Sequence, residues 1–68
     1  MHMQAPPSES FQLGQRDGQL LAEDFPGRTE VEIRREAELQ LRLHSSAGIC
    51  IQTPDEYIQG LFAGYQAA

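Results

Sequence analysis

The residues best suited to covalent chemistry sit close together. His44 is followed by Ser45 and Ser46, and Cys50 lies six positions on. A thiol beside an imidazole is a nucleophile with its base, the one such arrangement the chain offers. The pair lacks an orienting third group. No Gly-rich loop has the spacing that cradles phosphate, because Gly14-x-x-x-Gly18 reads as part of a hairpin. A chain this short also has little room for a ligand pocket of about 300 Å3. The plainer reading is that His44 ends a structural element and Cys50 packs as a small hydrophobe. No catalytic residue is therefore assigned. Two His, one Cys and scattered acids show no CxxC, HxxxH or calcium-loop spacing, so no metal and no cofactor is expected.

Composition narrows the partners. Ten acidic residues stand against five basic ones in 68, a formal net charge of −5. Phosphate binding rests on excess Lys and Arg, so neither nucleic acid nor an anionic membrane is expected as partner. A protein partner, or a second copy of the chain, fits better. All five basic residues are Arg, a bias that points to a GC-rich, bacterial source. A lone Cys forms no internal disulfide and fits a reducing, cytoplasmic setting. The chain has no apolar run of about 18 residues and no secretory leader pattern.

The elements that would position these residues are organised around Glu30–His44, EVEIRREAELQLRLH. Apolar residues occupy the odd positions: Val31, Ile33, Ala37, Leu39, Leu41 and Leu43, with Arg35 the single exception. The even positions are all polar or charged. Strict alternation is the signature of a strand with one core face. A helix is the competing expectation, since Glu, Arg, Ala, Leu and Gln favour it and Thr29-x-x-Glu32 has the form of a capping box. On a helix, however, the six apolar residues would spread almost all round, with no single face to bury. The alternation therefore favours a long strand.

Around it the chain reads as follows. Residues 1–10 carry Pro6-Pro7 and polar side chains and form a disordered lead-in. Phe11–Glu23 forms a hairpin about the turn pair Asp17-Gly18. Phe25-Pro26-Gly27-Arg28 forms a turn with Gly27 at positive φ. His44–Gly48 reverses the chain into a short strand at Ile49–Ile51. Thr53, Pro54 and Glu56 mark the start of a helix. Its apolar arc is Tyr57, Ile58, Leu61, Phe62 and Tyr65, and Gly60 and Gly64 lie on its flank. There they are either a close-contact groove for another helix or mere composition, and composition is the simpler expectation.

The expected fold is thus α+β over residues 11–68: a four-stranded antiparallel meander with one C-terminal helix packed on one face, ββββα. At about 3.3 Å per residue the long strand outruns a domain of this size, and its neighbours are too short to cover it. Either a bulge at Arg35 breaks the strand or it overhangs and pairs with a second copy; the short neighbours favour the second, a homodimer built on Val31, Ile33, Arg35, Ala37, Leu39, Leu41 and Leu43. The expected function is a small acidic interaction module that binds itself or another protein and has no chemistry of its own. The alternative is a small-ligand binder or minor enzyme using His44 and Cys50 at a subunit cleft.

Overall fold

The structure, a computed structural model, describes residues 8–68 and holds three helices: α1 (Glu9–Asp24), α2 (Glu30–Ser46) and α3 (Pro54–Ala67). Among the described residues there is no strand. The expected four-stranded meander is therefore wrong, and the fold is an all-helical, three-helix arrangement. Of the expected N-terminal lead-in, residues 1–7 lie outside the described residues, and Ser8–Ser10 form the cap and first turn of α1.

Each helix has a local reason to start where it does. At α1 the Ser8 hydroxyl accepts the Phe11 amide at 3.1 Å. At α2 the capping box is complete: Thr29 Oγ1 accepts the Glu32 amide, and Glu32 Oε1 accepts the Thr29 amide at 3.2 Å. Two of the otherwise orphan amides are thereby satisfied. At α3 Pro54 occupies the first turn, where its missing N–H costs nothing. The Thr53 hydroxyl does not cap a backbone amide; it donates instead to Glu56 Oε2 at 3.0 Å.

The connections are equally local. Gly27 takes φ 77°, as the Pro26-Gly27 turn requires. Past α2, Gly48 takes φ 82° and its amide donates to the Ser45 carbonyl, while the Ile49 amide donates to the His44 carbonyl at 2.8 Å. This pair of bonds is a Schellman motif, which ends a helix with a glycine in the left-handed region. Ile49–Ile51 consequently serves as linker, and its expected strand is absent.

The hairpin expected at Phe11–Glu23 is the middle of a helix, and the reason lies more than forty residues away. A Cβ on Gly14 would fall on the Tyr57 carbonyl oxygen, and one on Gly18 would fall on the Leu61 carbonyl oxygen. From the other side, Cβ atoms on Gly60 and Gly64 would fall on the carbonyls of Phe11 and Gln15. The two helices run parallel with backbones touching, and the matched spacings Gly14-x-x-x-Gly18 and Gly60-x-x-x-Gly64 form the seam. Ser10 extends it and is buried; its hydroxyl accepts the Thr53 amide at 3.3 Å. Close approach of two backbones demands residues without side chains, so tertiary contact overrides the turn preference of Asp17-Gly18. The groove reading of Gly60 and Gly64 is the correct one.

The core is small. Its buried apolar residues are Ile33, Ala37, Tyr57 and Leu61, with Leu13, Leu21, Leu41, Ile51, Ile58, Phe62 and Tyr65 packed around them. α1 and α3 make the intimate pair, and α2 lies more loosely against them. Tyr65 fastens the α1–α2 connection: its hydroxyl donates to the Phe25 carbonyl at 2.6 Å and accepts the Arg28 amide at 2.7 Å.

Candidate functional site

The structure gives His44 partners other than Cys50. His44 stands in the last turn of α2, two turns beyond Ala37 on the inward side. Its Nε2 lies 2.8 Å from Asp17 Oδ2. The same oxygen accepts the Tyr57 hydroxyl at 2.5 Å. The His44 and Tyr57 rings meet edge to face, with centroids 5.8 Å apart. One carboxylate from α1, one imidazole from α2 and one phenol from α3 thus tie the three helices at a single point.

Its electrostatics are those of a structural tie. Burial first, then the hydrogen bond and negative charge of Asp17, push the Tyr57 phenol far above its ordinary range, so it stays a neutral donor. Among the described residues no hydrogen bond joins His44 to a Ser or Cys side chain. Cys50 is exposed and lines a different cleft with Ser8, Glu9, Ser10, Gln52 and Thr53, and no hydrogen bond joins it to His44. Among the described residues no group of three His, Cys, Asp or Glu is placed to hold a metal ion.

The sequence reading places Asp17 in a turn and Tyr57 on an apolar arc and misses that they meet, although a signal was present. On a helix, Leu13, Asp17 and Leu21 form one i, i+4 row, so Asp17 is the polar member of an apolar stripe. Ile33, Ala37 and Leu41 form such a row on α2, and His44 follows it by one turn. A polar residue closing or interrupting an inward row needs a partner in the core, and here the two partner each other.

The seven residues assigned to an interface divide into two sets. Ile33 and Ala37 are buried and Leu41 is half-buried against the core, so these three are internal packing. Val31, Arg35, Leu39 and Leu43 face outward, and the three apolar ones are 62%, 46% and 53% exposed. The four succeed one another at i, i+4 and so line up as one ridge along α2. Strand pairing is excluded as the means of association, because these residues are helical. The spread of apolar side chains round α2 is real, however: one set meets the core and the other stays about half exposed or more.

Two open clefts flank that ridge. Arg35 and Leu39 border one with Arg28, Glu32 and Glu36. Glu36 also borders the second, which runs between α1 and α2 over Leu20, Leu21, Phe25 and Leu61. Leu20 and Phe25 are themselves about half exposed. A larger cleft of about 570 Å3, more than the sequence suggested this chain could hold, opens where the helix ends meet at Ala22, Pro26, Arg28, Ile33 and Tyr65.

Charge on the outward face of α2 is set by its first turn. Glu32 receives Arg28 Nη1 at 2.7 Å together with the Thr29 amide and hydroxyl. The Arg28 hydrogen bond, followed by the two from Thr29, lowers its pKa from the ordinary 4.5 to about 2. Arg34 pairs with Glu38 at 3.7 Å. Arg35 and Arg42 make no ion pair among the described residues.

Among the described residues no helix is long and apolar enough to cross a membrane. Comparison with known proteins finds no matching family model, no matching curated protein and no matching solved structure.

Proposed function

We propose that this chain is a small helical interaction module that acts by binding protein, a second copy of itself included, through the outward ridge of α2. It carries out no chemistry of its own and works in the cytoplasm. The observation that carries this reading is the division of α2. A helix that buries Ile33 and Ala37 on one side presents Val31, Leu39 and Leu43 to solvent on the other. Isolated exposed apolar residues are ordinary, but a row of them along one helix marks a contact surface. The acidic surface elsewhere keeps such a module soluble and makes nucleic acid a poor partner.

Sedimentation at high micromolar concentration tests it, with wild type beside Leu39→Asp and Leu43→Asp. The expected result is association of the wild type that both substitutions abolish, with helical circular dichroism unchanged. Monomeric wild type that also captures no protein from its source through Leu39 and Leu43 overturns the reading.

The cleft at Tyr65 favours a second reading, a binder of a small apolar ligand. It would place the contacts at Ile33, Tyr65 and Arg28 in place of His44 and Cys50. Fragment screening by NMR separates the two, since amide shifts would concentrate at those residues and leave Leu39 and Leu43 unmoved.

A further inference from the structure

The outward face of α2 is complementary to itself in one orientation. Its members are Val31, Glu32, Arg35, Leu39, Arg42 and Leu43, and they are arranged about the level of Ala37. Val31 stands six positions before that level and Leu43 six after. Glu32 stands five before and Arg42 five after, and Arg35 and Leu39 are two to either side. A two-fold axis beside the outer face of α2 at that level therefore brings Val31 level with the partner's Leu43, and Glu32 level with the partner's Arg42. It also lays the stem of Arg35 along the partner's Leu39. Each contact occurs twice.

We infer that two copies of this chain dimerise through antiparallel α2 helices, with the two-fold axis at the level of Ala37 and Glu32 paired to the partner's Arg42. The inference rests on the reading of α2 as a protein-binding surface and deepens it by naming the occupant. Charge decides the orientation. Parallel helices in register would oppose Arg35 to Arg35, Arg42 to Arg42 and Glu32 to Glu32, and like charges directly opposed are destabilising. The antiparallel arrangement brings Glu32 level with the partner's Arg42 and Arg35 beside the partner's Leu39. It also supplies Arg42, which makes no ion pair among the described residues, with a carboxylate. Glu32 has capacity for it, because a carboxylate offers about four acceptor sites and Arg28 and Thr29 leave room.

Disulfide trapping in the full chain, with Cys50→Ser as background, tests the geometry. An equimolar mixture of Val31→Cys and Leu43→Cys proteins is oxidised beside each protein alone. The expected product is the mixed dimer. Two Val31 positions would lie about 18 Å apart along antiparallel helices, and so would two Leu43 positions. That is far outside the roughly 4.4–6.8 Å that a disulfide spans between Cα atoms. In parallel, Arg42→Glu should weaken dimerisation at least about tenfold, while Arg16→Glu on α1 changes it little. A dimer that traps Val31 to Val31, or that traps nothing and tolerates Arg42→Glu, overturns this inference and leaves the binding reading standing. A chain that stays monomeric at high micromolar concentration overturns self-association altogether.

Discussion

Gly14→Ala should destabilise the protein, although helix propensity alone says the opposite. In an ordinary helix interior, replacing Gly by Ala gains about 0.5–1 kcal/mol. At Gly14 the new Cβ would fall on the Tyr57 carbonyl oxygen and lie 2.8 Å from the Leu61 amide nitrogen. At Gly64 it would fall on the Gln15 carbonyl and lie 2.8 Å from the Gln15 Cα. These neighbours are backbone and cannot swing away as a side chain could. α1 and α3 must move apart, which loosens the packing of Tyr57 and Leu61, both fully buried at the seam. Overpacking of this kind costs about 1–3 kcal/mol, often more where the backbone has to shift. After the propensity gain is subtracted, a net loss of about 1–2 kcal/mol per substitution remains. For a domain this small that corresponds to a fall in Tm of roughly 5–15 °C. Thermal melts followed by far-ultraviolet circular dichroism measure it, with exposed Gln19→Ala in α1 as the control that should change little. A rise in Tm for both Gly14→Ala and Gly64→Ala would show that the two backbones do not touch.

The other expectations concern the core, the three-helix tie and the first turn of α2. Leu61→Ala should cost about 2–5 kcal/mol and leave little folded protein, while the half-buried Phe62 should cost less; urea titration ranks the two. Asp17→Asn weakens the tie to both His44 and Tyr57 and should cost about 1–3 kcal/mol, more than Tyr57→Phe, which leaves the Asp17–His44 contact in place. Because the folded Tyr57 phenol is held above its ordinary pKa of 10.0, its contribution is complete below that pH and is lost as pH rises beyond it. An alkaline melt series should therefore fall more steeply for wild type than for Tyr57→Phe. Glu32 has the opposite sign: its folded pKa is depressed from 4.5 to about 2, so its stabilisation is present above pH 4.5 and lost as pH falls towards 2. Glu32→Gln should flatten the acid limb of helicity across that window.

How much of this was legible depends on which signals were local. The caps were: Thr29-x-x-Glu32 and Thr53-Pro54 stand at the starts of α2 and α3, and Gly27 and Gly48 take positive φ where the chain turns. The period of α2 misled because its apolar residues serve two surfaces. Ile33, Ala37 and Leu41 fill an inward arc of about 80°, and Val31, Leu39 and Leu43 fill an outward arc of about 120°. Interleaved along the chain, two helical rows imitate the alternation of a strand. Helix propensity and the capping box, both in favour of a helix, were the better guides for that reason. Asp17-Gly18 misled for a different cause. Its turn preference is worth less than the contact of Gly18 with the Leu61 backbone, and nothing within ten residues of Gly18 announces that contact. The match between Gly14-x-x-x-Gly18 and Gly60-x-x-x-Gly64 announces it, once the two spacings are read as halves of one seam.

That seam also explains why α2 is left with a face to spare. Helices that touch through glycine bring their axes close and leave little side-chain volume between them. α1 and α3 therefore bury chiefly backbone against each other, and the side chains that make the core lie along one edge of the pair, at Tyr57 and Leu61. A single helix suffices to cover that edge, and α2 does so with Ile33 and Ala37. Among the described residues there is no fourth helix to cover α2 in turn. In a larger bundle the residues Val31, Leu39 and Leu43 would be core; here they remain half exposed, next to Arg42, which makes no ion pair among the described residues. Two antiparallel copies of α2 would place helices on both sides of that ridge and make a six-helix body with a shared centre. Recognition and stability would then rest on the same side chains, so substitutions at Leu39 and Leu43 should lower Tm only at protein concentrations where wild type associates. Melts at low and high micromolar concentration test this linkage directly. A Tm that rises with concentration for wild type and not for Leu39→Asp is the expected result; equal Tm at both concentrations for wild type would place the ridge outside any self-association.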